Sequence, residues 1–186
     1  MKKRINLPLT KEAATELHAG ESVLLNGTIY TARDAAHKRL VALLDEHGPV
    51  PFPLENAAIY YVGPTPPQEG MALGSAGPTT SVRCDPYTPQ LLENGVTVMI
   101  GKGRRSPNVK QSMQENSAVY LAAVGGAGAL LSRCILSAEI IAFDDLGTEA
   151  IRKLQVKDFP AVVINDCHGG DYYESARSAY LNKYSK

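Results

Sequence analysis

The segment Gly77–Asp85 (GPTTSVRCD) carries more hydrogen-bonding side chains than a turn requires. Three hydroxyls follow one another at Thr79, Thr80 and Ser81, and Arg83 comes two residues later. Hydroxyls and backbone N–H groups at a turn bind a carboxylate or a phosphate, and an arginine holds a planar anion through two hydrogen bonds. The residues therefore favour an anion site in which Thr79, Ser81 and Arg83 bind the substrate anion. The alternative is an ST-turn that caps the following segment and leaves Arg83 solvated.

Two further cations stand at positions that suit an anion. Arg33 is predicted at the second position of a helix, where a positive charge costs about 0.3–1 kcal/mol unless it is paired. It serves either an anion held at that N-terminus or an ion pair with a neighbouring carboxylate. Lys102 lies between two glycines in Ile100–Ser106 (IGKGRRS), and is either a point charge for a substrate anion or a solvated turn residue. Arg104 and Arg105 are predicted to be surface charge.

The chain lacks the pairs of residues that catalysis or metal binding by this chain alone would need. No HxH or HxxxH pair occurs, so a self-contained metal site is not predicted, although His37 lies one turn after Arg33 and could join a site there. Cys84, Cys134 and Cys167 lack the short spacing of an iron–sulfur loop and are predicted to be buried or incidental thiols. The sequence indicates a protein that binds a small dianion and does not catalyse a reaction by itself.

Composition excludes several classes of partner. The 186 residues include 19 basic and 19 acidic side chains, so no overall field attracts nucleic acid or an anionic membrane. Only Lys102–Arg105 offers a basic patch, and nucleic-acid binding through it would require salt-dependent affinity. The basic start has no apolar run after it, so a signal peptide is not predicted. We expect a cytoplasmic protein without a nucleic-acid or membrane partner.

Strand-like and helix-like segments alternate, which predicts an α/β fold in a single domain over residues 1–186. A helix is predicted at Thr31–Glu46 with Thr31 as its N-cap, and the Asn26-Gly27 pair predicts a hairpin turn that divides Ser22–Tyr30 into two strands. Further strands are predicted at Ala57–Val62, Val96–Ile100, Ala118–Val124, Ile135–Phe143 and Ala161–Asn165. Further helices are predicted to begin at Thr88, Ser106 and Gly126, and a loosely held polar tail to begin at Ser175.

Several separated motifs together resemble one known family. GPTTSVRCD is followed in order by a Lys-Gly pair, by VGGAGALL and by LGTEAIRKLQVKDFP, while LNGTIYTARDAAHKRL and YYVGPTP precede it. The motifs extend from about Ile5 to Tyr173. They are similar to the β subunit, or C-terminal domain, of the iron–sulfur hydro-lyases: class I fumarate hydratase and L(+)-tartrate dehydratase. Cys84 departs from that pattern, in which methionine usually follows the arginine, and this is a change of packing.

The resemblance implies a fold, a partner and roles for site residues. It implies a swivelling β/β/α domain and an α subunit whose cysteines ligate a catalytic [4Fe–4S] cluster, with an iron that acts as a Lewis acid. It also implies an active site lined by Arg33, Thr79, Thr80, Arg83 and Lys102. Within it, Arg33, Arg83 and Lys102 would hold the two substrate carboxylates and stabilise the charge that develops on one of them. Thr80 would be the base at carbon, although nothing in the sequence shows what activates its hydroxyl.

The predicted function is reversible hydration of fumarate to malate by a two-subunit enzyme. LGTEAI and KGRRS favour fumarate over tartrate, but both substrates are four-carbon dianions that differ by hydroxyl groups. A different alternative is a non-catalytic dicarboxylate-binding module. Such a module would bind dicarboxylates without a cluster-bearing partner.

Overall fold

The computed structural model describes residues 2–67 and 69–184, and within them seven β-strands form one sheet. The strands are β1 (Lys3–Leu7), β2 (Ser22–Thr31), β3 (Ala58–Tyr60), β4 (Val98–Gly101), β5 (Val119–Ala122), β6 (Ile135–Ala142) and β7 (Ile151–Asn165). The α-helices are α1 (Lys11–Ala14), α2 (Asp34–Asp45), α3 (Thr88–Glu93), α4 (Pro107–Glu115), α5 (Gly128–Ser132) and α6 (Tyr172–Tyr184). Two 3₁₀ helices span Ser81–Cys84 and Asp144–Glu149. The predicted α/β fold is confirmed, while the domain boundary at 1–186 stays a prediction.

The sheet closes on itself through its longest strand. Strands β1 to β5 are parallel neighbours in chain order, and the 15-residue β7 runs antiparallel to β2, β5 and β6. Val162 of β7 pairs with Ser22 on one side and with Ala122 on the other, so β2, β3, β4, β5 and β7 form a ring. The parallel strands therefore present their carboxyl ends at one edge of that ring.

Alternating residues of the parallel strands feed two apolar cores, as the two-residue period of a strand requires. In β3, Ala58 and Tyr60 join a cluster with residues of β1, β2, β7 and α1, whereas Ile59 joins a second cluster. The second cluster includes apolar residues of α2, α3 and α4, among them Leu40 and Leu91, so these helices cover the outer face of the ring. Both faces of the parallel strands are therefore packed against apolar residues. This packing holds the strands in place and so positions the loops at their carboxyl ends.

The predicted hairpin at Asn26-Gly27 is wrong. Strand β2 continues from Ser22 to Thr31, with a register irregularity against β7 between Leu25 and Gly27. Gly27 has φ +115°, and a Cβ there would lie 2.4 Å from the carbonyl oxygen of Leu7 in β1. The glycine therefore serves a close approach of β1 to a bulged strand, since pairing with two neighbours overrides the local turn signal.

The start of α2 also differs from the prediction. The N-cap is Arg33, and Thr31 is the fully buried last residue of β2. The Thr31 hydroxyl donates to the Ala150 carbonyl at 3.2 Å and accepts from the Arg152 N–H at 2.9 Å, so it ties β2 to β7 and cannot cap the helix. Arg33 consequently lies just before the helix and not at its second position.

Two elements extend beyond what the sequence predicts. Strand β7 begins at Ile151, ten residues before the predicted Ala161, and it contains Pro160. Helix α6 occupies most of the predicted polar tail, whose last two residues lie outside the described part of the chain, and its side chains from Glu174 to Lys183 are exposed. None of the helices among the described residues is long and apolar enough to cross a membrane.

Candidate functional site

The carboxyl edge of the ring brings together residues that are far apart in sequence. Arg33 follows β2, Gly63 follows β3, Lys102 follows β4 and Gly125 follows β5. In open α/β sheets, ligands bind outside the carboxyl ends of the parallel strands, and the same geometry applies to the parallel strands here. The topology therefore places Arg33 and Lys102 at the same edge of the fold.

Backbone hydrogen bonds attach the Thr79–Arg83 segment to this edge. The N–H and the hydroxyl of Thr79 both donate to the carbonyl of Tyr61, at 2.8 and 3.0 Å. The Ser81 N–H donates to the Lys102 carbonyl at 3.0 Å, and Thr80 forms a parallel bridge with Lys102. Thr80 and Lys102, both predicted site residues, are thus neighbours held by main-chain contacts.

Thr80, Arg83 and Lys102 are exposed at this edge, and Thr79 is half-buried. Within residues 2–67 and 69–184, the side chains of the three exposed residues make no hydrogen bond or ion pair with the protein. The predicted site residues therefore present one hydroxyl and two positive charges that other molecules can reach. Thr79 uses its hydroxyl hydrogen on Tyr61, and only its oxygen lone pairs remain for a ligand.

Ser81, predicted to bind the substrate, is fully buried. Its Oγ lies 2.8 Å from the Tyr120 hydroxyl and accepts the Lys102 N–H at 3.2 Å. A Cβ on Gly101 would lie 2.0 Å from that Oγ, so glycine is needed for β4 to pass so close. We therefore assign Ser81 to positioning the segment and not to contact with a ligand.

Arg33 reaches the same edge, but a carboxylate of this chain already holds it. Its Nη2 lies 3.2 Å from Glu149 and 3.6 Å from Asp34, and its side chain is 20% exposed. A Cβ on Gly63 would lie 3.1 Å from Nη1, so the guanidinium packs against the chain that leaves β3. Glu149 also accepts the N–H of Ala35 at 3.3 Å, which places this carboxylate at the N-terminus of α2. A ligand carboxylate at Arg33 must therefore share the guanidinium with Glu149.

Arg105 is buried, and the prediction that it is surface charge is wrong. Its Nε lies 2.8 Å from Asp85, and its Nη2 donates to the Thr88 hydroxyl at 2.7 Å. The guanidinium carbon lies 5.1 Å from the ring centres of both Tyr61 and Tyr120. No sequence pattern identifies this residue as buried, because a single buried arginine adds nothing to the hydrophobic periodicity of a helix or strand.

Arg104, the residue before it, behaves as predicted. It is exposed and pairs with Glu174 of α6 at 2.6 Å. An exposed pair of this kind contributes roughly 0–1 kcal/mol to stability. The two adjacent arginines therefore have different roles, one at the surface and one inside.

The chain is similar in sequence to known proteins over most of its length. The Fumarase C-terminus family model matches residues 1–176. The chain belongs to the Fumarase C-terminus family. It is 40% identical over 152 residues to the aerobic class I fumarate hydratase of Escherichia coli K12, covering 81% of this chain and 28% of that relative. It is 37% identical over 187 residues to a putative class I fumarate hydratase of Geobacillus stearothermophilus, covering 98% and 35%.

A relative of similar size also matches this Fumarase C-terminus chain. It is the putative L(+)-tartrate dehydratase subunit beta of Methanocaldococcus jannaschii, 34% identical over 181 residues, covering 94% of this chain and 93% of the relative. The chain thus spans about a third of the fumarate hydratases it matches and nearly all of a β subunit. The resemblance stated from the motifs is confirmed.

The cysteines of this Fumarase C-terminus chain do not form a cluster site. Cys84 lies in the 3₁₀ helix Ser81–Cys84, Cys134 lies between α5 and β6, and Cys167 follows β7. Burial raises the pKa of the Cys84 thiol to about 12, which disfavours the thiolate that binds a metal. No group of three or more His, Cys, Asp or Glu in the described part of the chain is placed to hold a metal ion.

His37 is fully buried beneath Arg33. Its Nδ1 lies 2.8 Å from the Arg33 carbonyl, so this nitrogen carries the proton and donates. Its Nε2 is buried without a hydrogen-bond partner among the described residues, and its ring meets the edge of Tyr61. Burial lowers the pKa of His37 to about 4. His37 therefore does not face a ligand at the site. It supports the site by holding the backbone of Arg33.

The buried His37 predicts that acid destabilises the fold. Between pH 6.5 and about 4 the imidazole is protonated in the unfolded chain but not in the folded one, so the unfolded state binds more protons and stability falls as pH falls. We expect His37 to lower the free energy of unfolding by about 2 kcal/mol from pH 7 to pH 5. Urea unfolding at both pH values measures this change in the free energy of unfolding. His37→Gln should remove this loss, whereas a matched change at exposed His47 should keep it; an unchanged slope in His37→Gln would contradict the assignment.

Proposed function

We propose that this chain is the β subunit of a two-subunit iron–sulfur hydro-lyase that hydrates fumarate reversibly to (S)-malate. The observation that carries the proposal is the meeting of Thr80, Arg83 and Lys102 at the carboxyl edge, without protein partners for their side chains in the described residues. Identity of 40% to a class I fumarate hydratase supports the substrate. The near full-length match to a β subunit supports the two-chain arrangement.

The charges at the edge suit a four-carbon dianion. Lys102 offers a compact positive charge and Arg83 a planar fork, and each can take one carboxylate of fumarate. Hydration and its reverse place negative charge on the carboxylate next to the carbon that gains or loses a proton. Cations stabilise that charge most when they are already in place, and the bridge to Thr80 fixes the backbone from which the Lys102 side chain extends. Arg33 adds a third cation whose guanidinium Glu149 orients.

We assign the [4Fe–4S] cluster and its cysteine ligands to an α subunit. This assignment is supported by the three cysteines of the chain, which lie in three separate segments and include a buried thiol, Cys84, whose pKa burial raises. The α subunit would cover the carboxyl edge and add the groups that this chain does not supply. Dicarboxylate binding remains the task of Arg33, Thr79, Arg83 and Lys102, with Thr80 as the group that exchanges the proton at carbon.

A second candidate function is that of an L(+)-tartrate dehydratase β subunit. The observation that favours it is the relative that matches in length as well as sequence, over 93% of its own chain. Tartrate and fumarate offer the same two carboxylates to Arg83 and Lys102. They differ in hydroxyl groups, and a site built to hydrogen-bond a hydroxyl rejects the substrate that lacks it.

An anaerobic affinity purification of the chain from its own cells tests the proposal. We expect a complex with a second, cysteine-bearing chain that contains iron and hydrates fumarate; turnover of tartrate and not fumarate would select the second candidate. A lone chain that binds dicarboxylates without turning them over would instead identify a binding module. Replacing Cys84, Cys134 and Cys167 together by serine should leave the iron content of the complex unchanged, and loss of iron would place ligands on this chain.

A further inference from the structure

We propose that Arg105 is a positioning residue that clamps the two loops carrying Thr80, Arg83 and Lys102 in a fixed relative arrangement. The inference rests on the proposed function, because it concerns the same site. Arg105 contacts no ligand position itself, since its side chain is wholly buried. Its effect on the site is transmitted through the residues that it touches.

The first link joins the two loops through Asp85, which comes two residues after Arg83. One carboxylate oxygen of Asp85 lies 2.8 Å from Arg105 Nε, and the other accepts the Ser106 N–H at 2.7 Å. Asp85 is itself 7% exposed, so water does not screen this pair. The carboxylate therefore fixes the end of the Thr79–Arg83 segment against both the side chain of Arg105 and the backbone that follows it.

The second link is a pair of tyrosines whose ring centres both lie 5.1 Å from the guanidinium carbon. Tyr120 stacks on Arg105, donates its hydroxyl to the Gly103 carbonyl at 3.0 Å and lies 2.8 Å from Ser81 Oγ. Tyr61 stacks on Arg105 as well, and its carbonyl accepts both donors of Thr79. Each tyrosine thus lies against the guanidinium and also contacts a loop, Tyr120 through its hydroxyl and Tyr61 through its backbone carbonyl.

The cost of burying a guanidinium argues that its directional contacts matter. A buried charge is expensive to remove from water, and an apolar cluster of the same volume is often at least as stable. Arginine differs from lysine in its planar fork, which here places Nε in an ion pair with Asp85 and lets Nη2 donate to the Thr88 hydroxyl, while the guanidinium carbon lies over the Tyr61 and Tyr120 rings. The fork therefore sets the spacing between Lys102 and the Thr79–Arg83 segment. Apolar packing, which has no directional contacts, would not set that spacing.

The test uses the complex with its α subunit and compares Arg105→Lys with Arg104→Lys as the matched control. We expect the KM for fumarate to rise about tenfold in Arg105→Lys, with a fall in kcat per intact complex because Thr80 lies on the same segment, and no change in the control. A merely structural role would lower kcat by reducing the active fraction and leave KM unaltered. A KM in Arg105→Lys within about twofold of wild type would overturn the proposal.

A second variant decides the matter if Arg105→Lys does not fold. Tyr120→Phe keeps the ring on Arg105 and removes only the hydroxyl between Ser81 and Gly103, and we expect its KM to rise about fivefold. An unchanged KM there would overturn the clamp.

Amide hydrogen exchange on the full chain separates the clamp from the proposed function. Faster exchange in residues 79–85 and 101–105 of either variant, with α2 unchanged, supports the clamp even if the wild-type complex turns over neither fumarate nor tartrate. Unchanged exchange in both segments overturns it, whatever the complex catalyses.

Discussion

Replacing Arg83 by alanine is expected to lower kcat/KM for fumarate about 150-fold in the assembled complex, which corresponds to about 3 kcal/mol. Arg83 is exposed on the 3₁₀ helix Ser81–Cys84 and makes no ion pair within the described ranges. Its removal therefore leaves no buried charge uncompensated, and the loss falls on the bound dianion and not on the fold. Steady-state kinetics of the purified complex, with its subunit ratio checked by gel filtration, measures the effect.

The control for Arg83 is Arg133→Ala. Arg133 is likewise exposed and follows α5 at its C-cap, so its replacement removes the same charge and a similar area outside the loops of the site. We expect a rate within about twofold of wild type there. A wild-type rate in Arg83→Ala would remove Arg83 from the site, and partial recovery in Arg83→Lys would show that charge alone supplies part of the binding.

The parts of the fold that the sequence predicts are those with a local signal. The strands Val98–Gly101 and Val119–Ala122 are short apolar runs, and α4 begins with a Ser-Pro pair that caps it as expected. The first ten residues of β7 have no such signal, because they are rich in charge and end at Pro160, and proline normally argues against a paired strand. Their place in the ring depends on pairing with β2 and β6, which no local window contains.

The candidate site likewise contains features that the sequence predicts and features that depend on contacts between distant segments. The residue types of Thr79, Thr80 and Arg83 and their spacing already indicate an anion site, because they exceed what a turn needs. The direction of each side chain is not encoded locally, so the sequence does not distinguish Ser81, which faces the interior, from the hydroxyls of Thr79 and Thr80. Glu149, the carboxylate that holds Arg33, comes from the segment before β7 and could not be linked to Arg33 by sequence alone.

Replacing Thr80 by valine is expected to lower kcat about 1,000-fold while KM for fumarate changes by less than about threefold. Valine keeps the shape of threonine and loses only the hydroxyl. Thr80 is exposed, and its backbone bridge with Lys102 involves the main chain alone, so the loops should remain in place. Rates and KM in the assembled complex give the measurement, and Thr80→Ser, which restores a hydroxyl at the same position, should recover most of kcat.

The physical basis of that prediction is the charge around the hydroxyl. A threonine hydroxyl is a weak base, and it exchanges a proton at carbon only where the negative charge of its deprotonated form is stabilised. Lys102 is the residue bridged to Thr80 through the backbone, and we infer that its ammonium provides that stabilisation. A kcat within about threefold of wild type in Thr80→Val would assign proton exchange to a group of the α subunit and leave Thr80 as a binding residue. A fall in kcat that serine reverses would instead show that the hydroxyl takes part in the reaction, since serine restores that group and little else.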